Sequence, residues 1–259
     1  MGRSERSGSR RVVRLPPLGL EGVLDMPPLP ARGLILFAHG SGSSRLSPRN
    51  NAVAAALGEA NLATLLFDLL STTEEKDRAN IFDIDLLAHR LIAATAWVWK
   101  SPEISKLPIG YFGASTGAAA ALVAAARLGG RIAAVVSRGG RADLVGSVLA
   151  DVRAPTLLIV GGRDSEVLAL NRAALRNLRC HAAIEVVPGA TTCSRSLARS
   201  IRWSRSRAAG SSTICRSKRR PSPCDFRTAK MPAVALRENS CASRISIRSC
   251  LRCPAAEFP

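Results

Sequence analysis

The chain has 259 residues and a formal net charge of +18 at pH 7, and most of that charge lies at one end. Residues 192–259 carry 15 Lys and Arg against three Asp and Glu, whereas residues 1–191 carry 22 against 16. No apolar run reaches the ~18 residues of a transmembrane helix, and residues 1–14 lack the apolar core of a signal peptide, so we expect a cytoplasmic protein without a membrane partner.

Residues 1–11 are expected to be disordered, and residues 12–191 are expected to form one domain. The proline-rich segment 15–30 predicts an irregular antiparallel hairpin at a sheet edge, where a missing N–H does no harm. Later apolar runs are continuous, which is typical of parallel strands buried on both faces, and helix-like stretches separate them. The predicted strands are 33–38, 62–67, 107–112, 132–136, 155–160 and 183–187, and the predicted helices are 50–60, 82–99, 116–128, 144–149 and 166–178. This alternation predicts an α/β fold with a doubly wound, mostly parallel sheet.

The sequence GASTG at residues 113–117 lies between a predicted strand and a predicted helix. It has the Gly-x-Ser-x-Gly form of a nucleophile elbow, which needs small neighbours because its backbone is strained. The pattern alone is weak, because glycine and serine are common, and a simple packing turn is the alternative. In this context it predicts that Ser115 is a catalytic nucleophile.

A glycine-rich loop, HGSGSS at residues 39–44, follows the predicted strand 33–38. Such a loop can turn backbone N–H groups toward a developing oxyanion. We expect the N–H groups of Ser41 and Thr116 to form the oxyanion hole, with Gly40 and Gly42 supporting the loop. His39 is expected to support the loop by hydrogen bonding and not to act in catalysis.

Asp164 follows the predicted strand 155–160, as the acid of a Ser, Asp, His order would. Its alternative role is to cap the helix 166–178, and the sequence allows both roles. The third member, a histidine, is expected where Thr192 stands. His181 precedes the last predicted strand and so lies at the wrong edge, while His89 lies away from the core face of its helix.

With these residues the chain resembles the dienelactone hydrolase-like family of α/β hydrolases. The resemblance covers about residues 12–191 and rests on 33–50, 65–70, 108–120, 135–141 and 155–164. It implies that a small ester or lactone is hydrolysed through an acyl-enzyme, and that a triad histidine and a final amphipathic helix follow residue 191. No cofactor is implied, because the chain has neither a nucleotide-binding glycine fingerprint nor a metal set. Similar proteins also occur fused to a phosphoribosyltransferase domain, but this chain has no phosphoribosyl-pyrophosphate motif.

The tail 192–259 departs from that family and is explained best by a shifted reading frame. The codons CAC CTG TTC GAG GAG CC encode HLFEEP, and a shift of one nucleotide makes them encode TCSRS, which is residues 192–196. A GC-rich gene read out of frame yields such Arg, Ser and Cys without periodicity, so we expect a disordered tail and a chain that is poorly stable and nearly inactive. The alternative function for this fold is that of a non-catalytic binding or regulatory protein.

A basic arm for nucleic acid is another interpretation of the tail, since its arginines could neutralise phosphates. Its only aromatic residues are Trp203, Phe226 and Phe258, and they show no motif spacing. Cys250 and Cys253 form the one C-x-x-C pair, without the second pair that a zinc site needs. We therefore expect no specific nucleic-acid partner, although adventitious binding to so basic a chain is expected.

Overall fold

The computed structural model of the chain describes residues 8–191 and shows one eight-stranded sheet with helices on both faces. Thr192 and the predictions for residues 1–7 and 192–259 lie outside the described residues. The strands are β1 Ser9–Leu15, β2 Leu20–Met26, β3 Leu34–Ala38, β4 Ala63–Phe67, β5 Ile109–Ala114, β6 Ile132–Arg138, β7 Thr156–Gly161 and β8 Ala182–Val187. The helices are α1 Pro48–Gly58, α2 Arg78–Phe82, α3 Ile84–Lys100, α4 Thr116–Leu128 and α5 Ser165–Asn177.

The strand order β1-β2-β4-β3-β5-β6-β7-β8 confirms the doubly wound, mostly parallel sheet. Strands β3 to β8 are parallel to one another, and β2 joins them antiparallel to β4. Because the parallel strands end at one edge, the loops after β3, β5, β7 and β8 meet there. That is the edge at which doubly wound folds bind ligands.

The edge hairpin is antiparallel, as expected, but it begins earlier than the sequence suggested. It consists of β1 and β2, so residues 9–11 are strand and were wrongly assigned to a disordered N-terminus. Pro16 and Pro17 lie in its turn, and the prolines after residue 26 follow β2. The prolines therefore flank the two strands instead of interrupting them.

Each face of the sheet has its own apolar core. The larger core joins the sheet to α3, α4 and α5, and Leu87, Leu91 and Ala94 of α3 lie in it. The second core contains Val53, Ala54 and Leu57 of α1, the only described helix that contributes to it.

Two short segments differ from the sequence expectations. Residues Ala142–Asp151 form 3-10 turns that break at Gly146, whose φ is +61°, where a helix over 144–149 was expected. Helix α2 and the 3-10 turn Glu74–Lys76 were not expected at all. Both segments are short and are held by side-chain contacts that periodicity cannot reveal.

Helix α4 is buried on all sides along most of its length. Every residue from Thr116 to Ala125 is buried, and six of these ten are alanines. It ends at Gly129, whose φ of +60° is the conformation in which glycine commonly terminates a helix. The helix can pass between the sheet and its neighbours because its side chains are so small.

Candidate active site

Ser115 lies in a strained turn between β5 and α4. Its φ is +52°, a value that L-residues other than glycine rarely adopt. Such strain persists only where the surrounding structure enforces it, and it concentrates at functional sites. The side chain is partly exposed at the carboxyl edge of the sheet.

Two glycines permit this turn because neither position has room for a side chain. A Cβ built on Gly113 would lie 2.4 Å from the Cα of Ala118. A Cβ on Gly117 would lie 2.2 Å from the carbonyl oxygen of Ala38 and 2.3 Å from that of His39. The turn, α4 and the end of β3 are therefore in direct backbone contact.

The carbonyl group of Ser115 is held from a second side by the turn that follows β6. The Arg141 N–H donates to the Ser115 oxygen at 3.2 Å, and the Gly139 N–H donates to the Ile159 oxygen at 2.7 Å. The fully buried side chain of Asn171 on α5 donates to the Gly140 oxygen at 2.9 Å. Asn171 thus links α5, the helix that begins after Asp164, to the serine turn.

Sequence reasoning did not single out Asn171, although a signal was present. Within α5 it shares a stripe with Val167 and Ala174, at spacings of four and three. A polar residue on a buried stripe needs hydrogen-bond partners, because burying it without them is costly.

The glycine-rich loop after β3 packs directly against Ser115. A Cβ built on Gly40 would lie 2.8 Å from the Cβ of Ser115, so this position also excludes a side chain. Thr116 is the first residue of α4, and its N–H has no acceptor within the helix. Both expected oxyanion donors, Ser41 and Thr116, are on the wall of one cavity.

His39 is buried and engaged at both ring nitrogens. Its Nε2 accepts the Leu69 N–H at 3.0 Å, so that nitrogen carries no proton, and its Nδ1 can then donate to the Gly40 oxygen at 3.1 Å. These bonds connect the glycine-rich loop to the end of β4. They fit the expected loop-supporting role of His39.

Asp164 follows β7 at the same edge as Ser115, two strands away, which is roughly 10 Å at the usual strand spacing. It stands at the N-cap position of α5, but its side chain makes no capping hydrogen bond. The helix instead begins with a backbone bond from the Leu168 N–H to the Asp164 oxygen at 2.9 Å. The capping alternative therefore does not explain the carboxylate.

The described chain ends beside the loop that carries Asp164. The Gly162 N–H donates to the Val187 oxygen at 2.9 Å, and the Arg163 N–H donates to the Ala190 oxygen at 3.0 Å. The backbone up to Thr191 thus runs alongside the residues next to Asp164.

The chain has three histidines, and two of them are remote from Ser115. His181 precedes β8, so it lies at the amino edge of the sheet, opposite Ser115. His89 is exposed on α3, where its Nδ1 is 2.9 Å from the Asp85 oxygen. The third, His39, is engaged as described above.

A cavity of about 620 Å³ opens between the glycine-rich loop and the segment after β4. Its lining is polar along the loop and aliphatic on the opposite side. The lining residues are His39, Gly40, Ser41, Gly42, Ser43, Ser44, Leu46, Ser47, Pro48, Arg49, Leu69, Leu70, Glu75, Ile81, Leu87 and Thr116.

Glu74 anchors the segment that carries the aliphatic wall. Its carboxylate accepts the Ser71 N–H at 2.8 Å and pairs with Arg90 of α3 at 2.6 Å, and its carbonyl oxygen accepts from the Asn80 side chain at 3.0 Å. Burial alone would raise the pKa of Glu74, but the hydrogen bonds from Ser71 and the Arg90 charge outweigh it and hold the pKa below its usual value.

We expect Glu74→Gln to lower the free energy of unfolding by about 1 kcal/mol at pH 7, since the paired carboxylate is lost. A depressed carboxyl pKa stabilises the fold above the unfolded-state value near 4.5, and this contribution disappears as the pH falls through the lower folded-state value. Urea unfolding of both proteins at pH 7 and pH 3 measures this contribution of the Glu74 carboxylate to stability. An equal difference between the two proteins at both pH values would contradict this assignment.

Within residues 8–191, no three His, Cys, Asp or Glu side chains are grouped so as to hold a metal ion. None of the helices in that range is long and apolar enough to cross a membrane.

The chain is similar to a dienelactone hydrolase of Anabaena variabilis, with 49% identity and a TM-score of 0.68 over 73% of this chain and 88% of that one. It is also similar in fold to a serine hydrolase homologue of Coxiella burnetii, with 19% identity, a TM-score of 0.63, and coverage of 75% of this chain and 93% of that one. No protein-family model matches the chain.

Among curated proteins, one from Mycobacterium tuberculosis is 58% identical over 175 residues and carries the provisional name of a phosphoribosyl transferase. The match takes in 68% of this chain and 39% of that protein. The chain therefore spans 39% of the length of the curated relatives that it matches.

Proposed function

This chain belongs to the dienelactone hydrolase family of α/β hydrolases, and we propose that its site hydrolyses small-molecule esters or lactones through an acyl-enzyme on Ser115. The strained Ser115 backbone, with φ of +52°, is the observation that carries the proposal. A packing turn has no need of such strain, whereas a nucleophile elbow uses it to present the hydroxyl.

In the proposed reaction, the Ser115 Oγ bonds to the ester carbonyl carbon while its proton passes to a histidine base. Backbone N–H groups of Ser41 and Thr116 stabilise the oxyanion. The bond from that carbon to the alcohol oxygen then breaks, and the alcohol leaves with the proton from the base. Water, deprotonated by the same base, attacks the acyl-enzyme, and the acid leaves as Ser115 regains its proton.

Asp164 is proposed to orient the histidine base. That base is the triad member whose presence in this chain is in question. The family pattern places it at position 192, where the sequence has threonine. Without a base, Ser115 is a weakly nucleophilic alcohol, and losing a triad member costs several orders of magnitude in rate. We therefore propose that the chain as written is a nearly inactive copy, whose frame shifted at residue 192.

Phosphoribosyl transfer is not proposed for this site. That name belongs to a protein of which this chain spans 39%. In the described part of the chain, the strained serine turn, the glycine-rich loop packed against it and the Asp164 carboxylate at the same sheet edge support acyl transfer instead. The proposed partner is accordingly a small-molecule substrate.

A fluorophosphonate probe tests the proposal because it reacts with activated serines. We expect slow labelling of the chain as written, and loss of that labelling in Ser115→Ala. Ser105→Ala, which changes a serine in the loop before β5, is the matched control and should label normally. Mass spectrometry of the labelled peptide identifies the site. Equal labelling of the Ser115→Ala chain would contradict the assignment of the nucleophile.

A further inference from the structure

We infer that the cavity beside Ser115 receives a neutral aliphatic arm of the substrate, such as an acyl chain of about six carbons, and does not receive a carboxylate. The inference rests on the hydrolase function proposed above and specifies its substrate class. It draws on the shape, the polarity and the charges of the cavity wall.

One wall of the cavity is aliphatic. Leu69 and Leu70 follow β4, Ile81 lies on α2, and Leu87 lies on α3. Leu46 faces them from the glycine-rich side and is 63% exposed, although it is a large apolar residue. Leu69, Leu70 and Leu87 are buried already, so an aliphatic ligand would gain by packing on them and by removing Ile81, which is half-buried, and Leu46 from water, in proportion to the apolar area buried.

The other wall is polar and lies nearest the reacting group. It consists of the loop from Gly40 to Pro48, with Thr116 beside it at the start of α4. An ester would be oriented by this contrast, with its carbonyl group at the N–H donors and its apolar arm toward Ile81 and Leu87. A pocket of this kind gives specificity through a few polar groups on an apolar lining.

The charges of the wall do not favour an anion. Its lining includes one cationic residue, Arg49, and one anionic residue, Glu75. Two further arginines in the region serve other carboxylates: Arg45 pairs with Asp68 and Glu21, and Arg90 pairs with Glu74. Arg49 belongs to the glycine-rich side, so a carboxylate placed among Leu70, Ile81 and Leu87 would lose hydration on a wall without a cationic lining residue, which is costly.

The test compares two amides of equal chain length that cannot be hydrolysed as esters. Hexanamide is neutral, and adipic monoamide ends in a carboxylate. Saturation-transfer NMR on the full, unaltered chain measures the binding of each probe. This measurement does not depend on catalysis. We expect hexanamide to bind about tenfold or more tightly than adipic monoamide.

Three variants of α2 connect the binding to this wall. Ile81→Asn should weaken hexanamide binding at least about fivefold, whereas Phe82→Asn should not change it, because Phe82 is 50% exposed and does not line the cavity. Ile81→Met keeps an apolar side chain and should retain binding, which separates a lost contact from an unfolded α2.

Two results would overturn the inference: no binding of hexanamide, or binding of adipic monoamide that equals or exceeds it. Adipic monoamide binding that is lost in Arg49→Gln would assign an anionic substrate instead. These results are independent of the fluorophosphonate experiment. A Thr192→His chain that binds hexanamide but does not label at Ser115 would refute the proposed hydrolysis and keep the ligand class.

Discussion

Gly117→Ala is expected to destabilise the domain by about 3 kcal/mol and to abolish Ser115 labelling. The added Cβ would lie 2.2 Å and 2.3 Å from the carbonyl oxygens of Ala38 and His39, and these are backbone atoms that cannot rotate away. Relief requires α4 to move from the end of β3, which would also displace the Thr116 N–H relative to the glycine-rich loop. Urea unfolding, monitored by tryptophan fluorescence, measures the loss.

Gly58→Ala is the matched control for this prediction. A Cβ at Gly58, the last residue of α1, would meet nothing within 4 Å, and the residue has no positive φ. That substitution should change stability by less than about 1 kcal/mol, in the stabilising direction, because alanine favours a helix more than glycine does. A Gly117→Ala chain as stable as Gly58→Ala would show that α4 does not lie against β3 as described.

Thr192→His is expected to raise the rate of Ser115 labelling, and of p-nitrophenyl acetate hydrolysis, by about two to four orders of magnitude. The reason is geometric. The Arg163 N–H bonds to the Ala190 oxygen, so the described backbone arrives at residue 191 next to Asp164. On the family pattern, a histidine directly after residue 191 is expected to accept the serine proton, with Asp164 as its orienting acid.

The control places the same side chain one residue earlier. Thr191→His has the same composition as Thr192→His but shifts the imidazole along the loop, and it should give little gain. Adding Ser115→Ala to Thr192→His should return the rate to background. A Thr192→His chain that remains as unreactive as the parent would favour a non-catalytic module of this fold.

The reading frame can be checked at the gene itself. Sequencing across the codons for residues 188–199 should reveal one additional nucleotide if the family ending, HLFEEP, is the original. An unchanged frame would instead make the threonine genuine, and the proposed hydrolysis would then apply to the lineage and not to this copy.

Much of the fold could be predicted because its signals are local. Helix α4 was predicted with its observed bounds, since GASTG and Gly129 mark its two ends. Strand β1 was missed because its sequence, SRRVVRL, is charged and mostly exposed. Charged residues are common on edge strands, where they discourage pairing with other chains, so β1 resembles a polar tail when read as sequence.

The site was predictable to the extent that it depends on topology. Ser115 and Asp164 follow strands of one parallel sheet, so their loops had to meet at one edge. The link from Asn171 to the Ser115 turn was not predictable, because it depends on how α5 packs against the turn after β6. The aliphatic wall was missed for the same reason, since Ile81 lies on a helix of five residues.

The buried alanines of α4 also bear on how sequences of this family are compared. A run such as AAAALVAA, residues 118–125, looks compositionally simple, and repetitive segments of this kind are often discounted when similarity is scored. Here every residue of that run is enclosed, so almost any larger side chain would overpack the domain. This segment of low compositional complexity is thus where the fewest substitutions are tolerated. An alignment that masks the segment would discard the most informative columns.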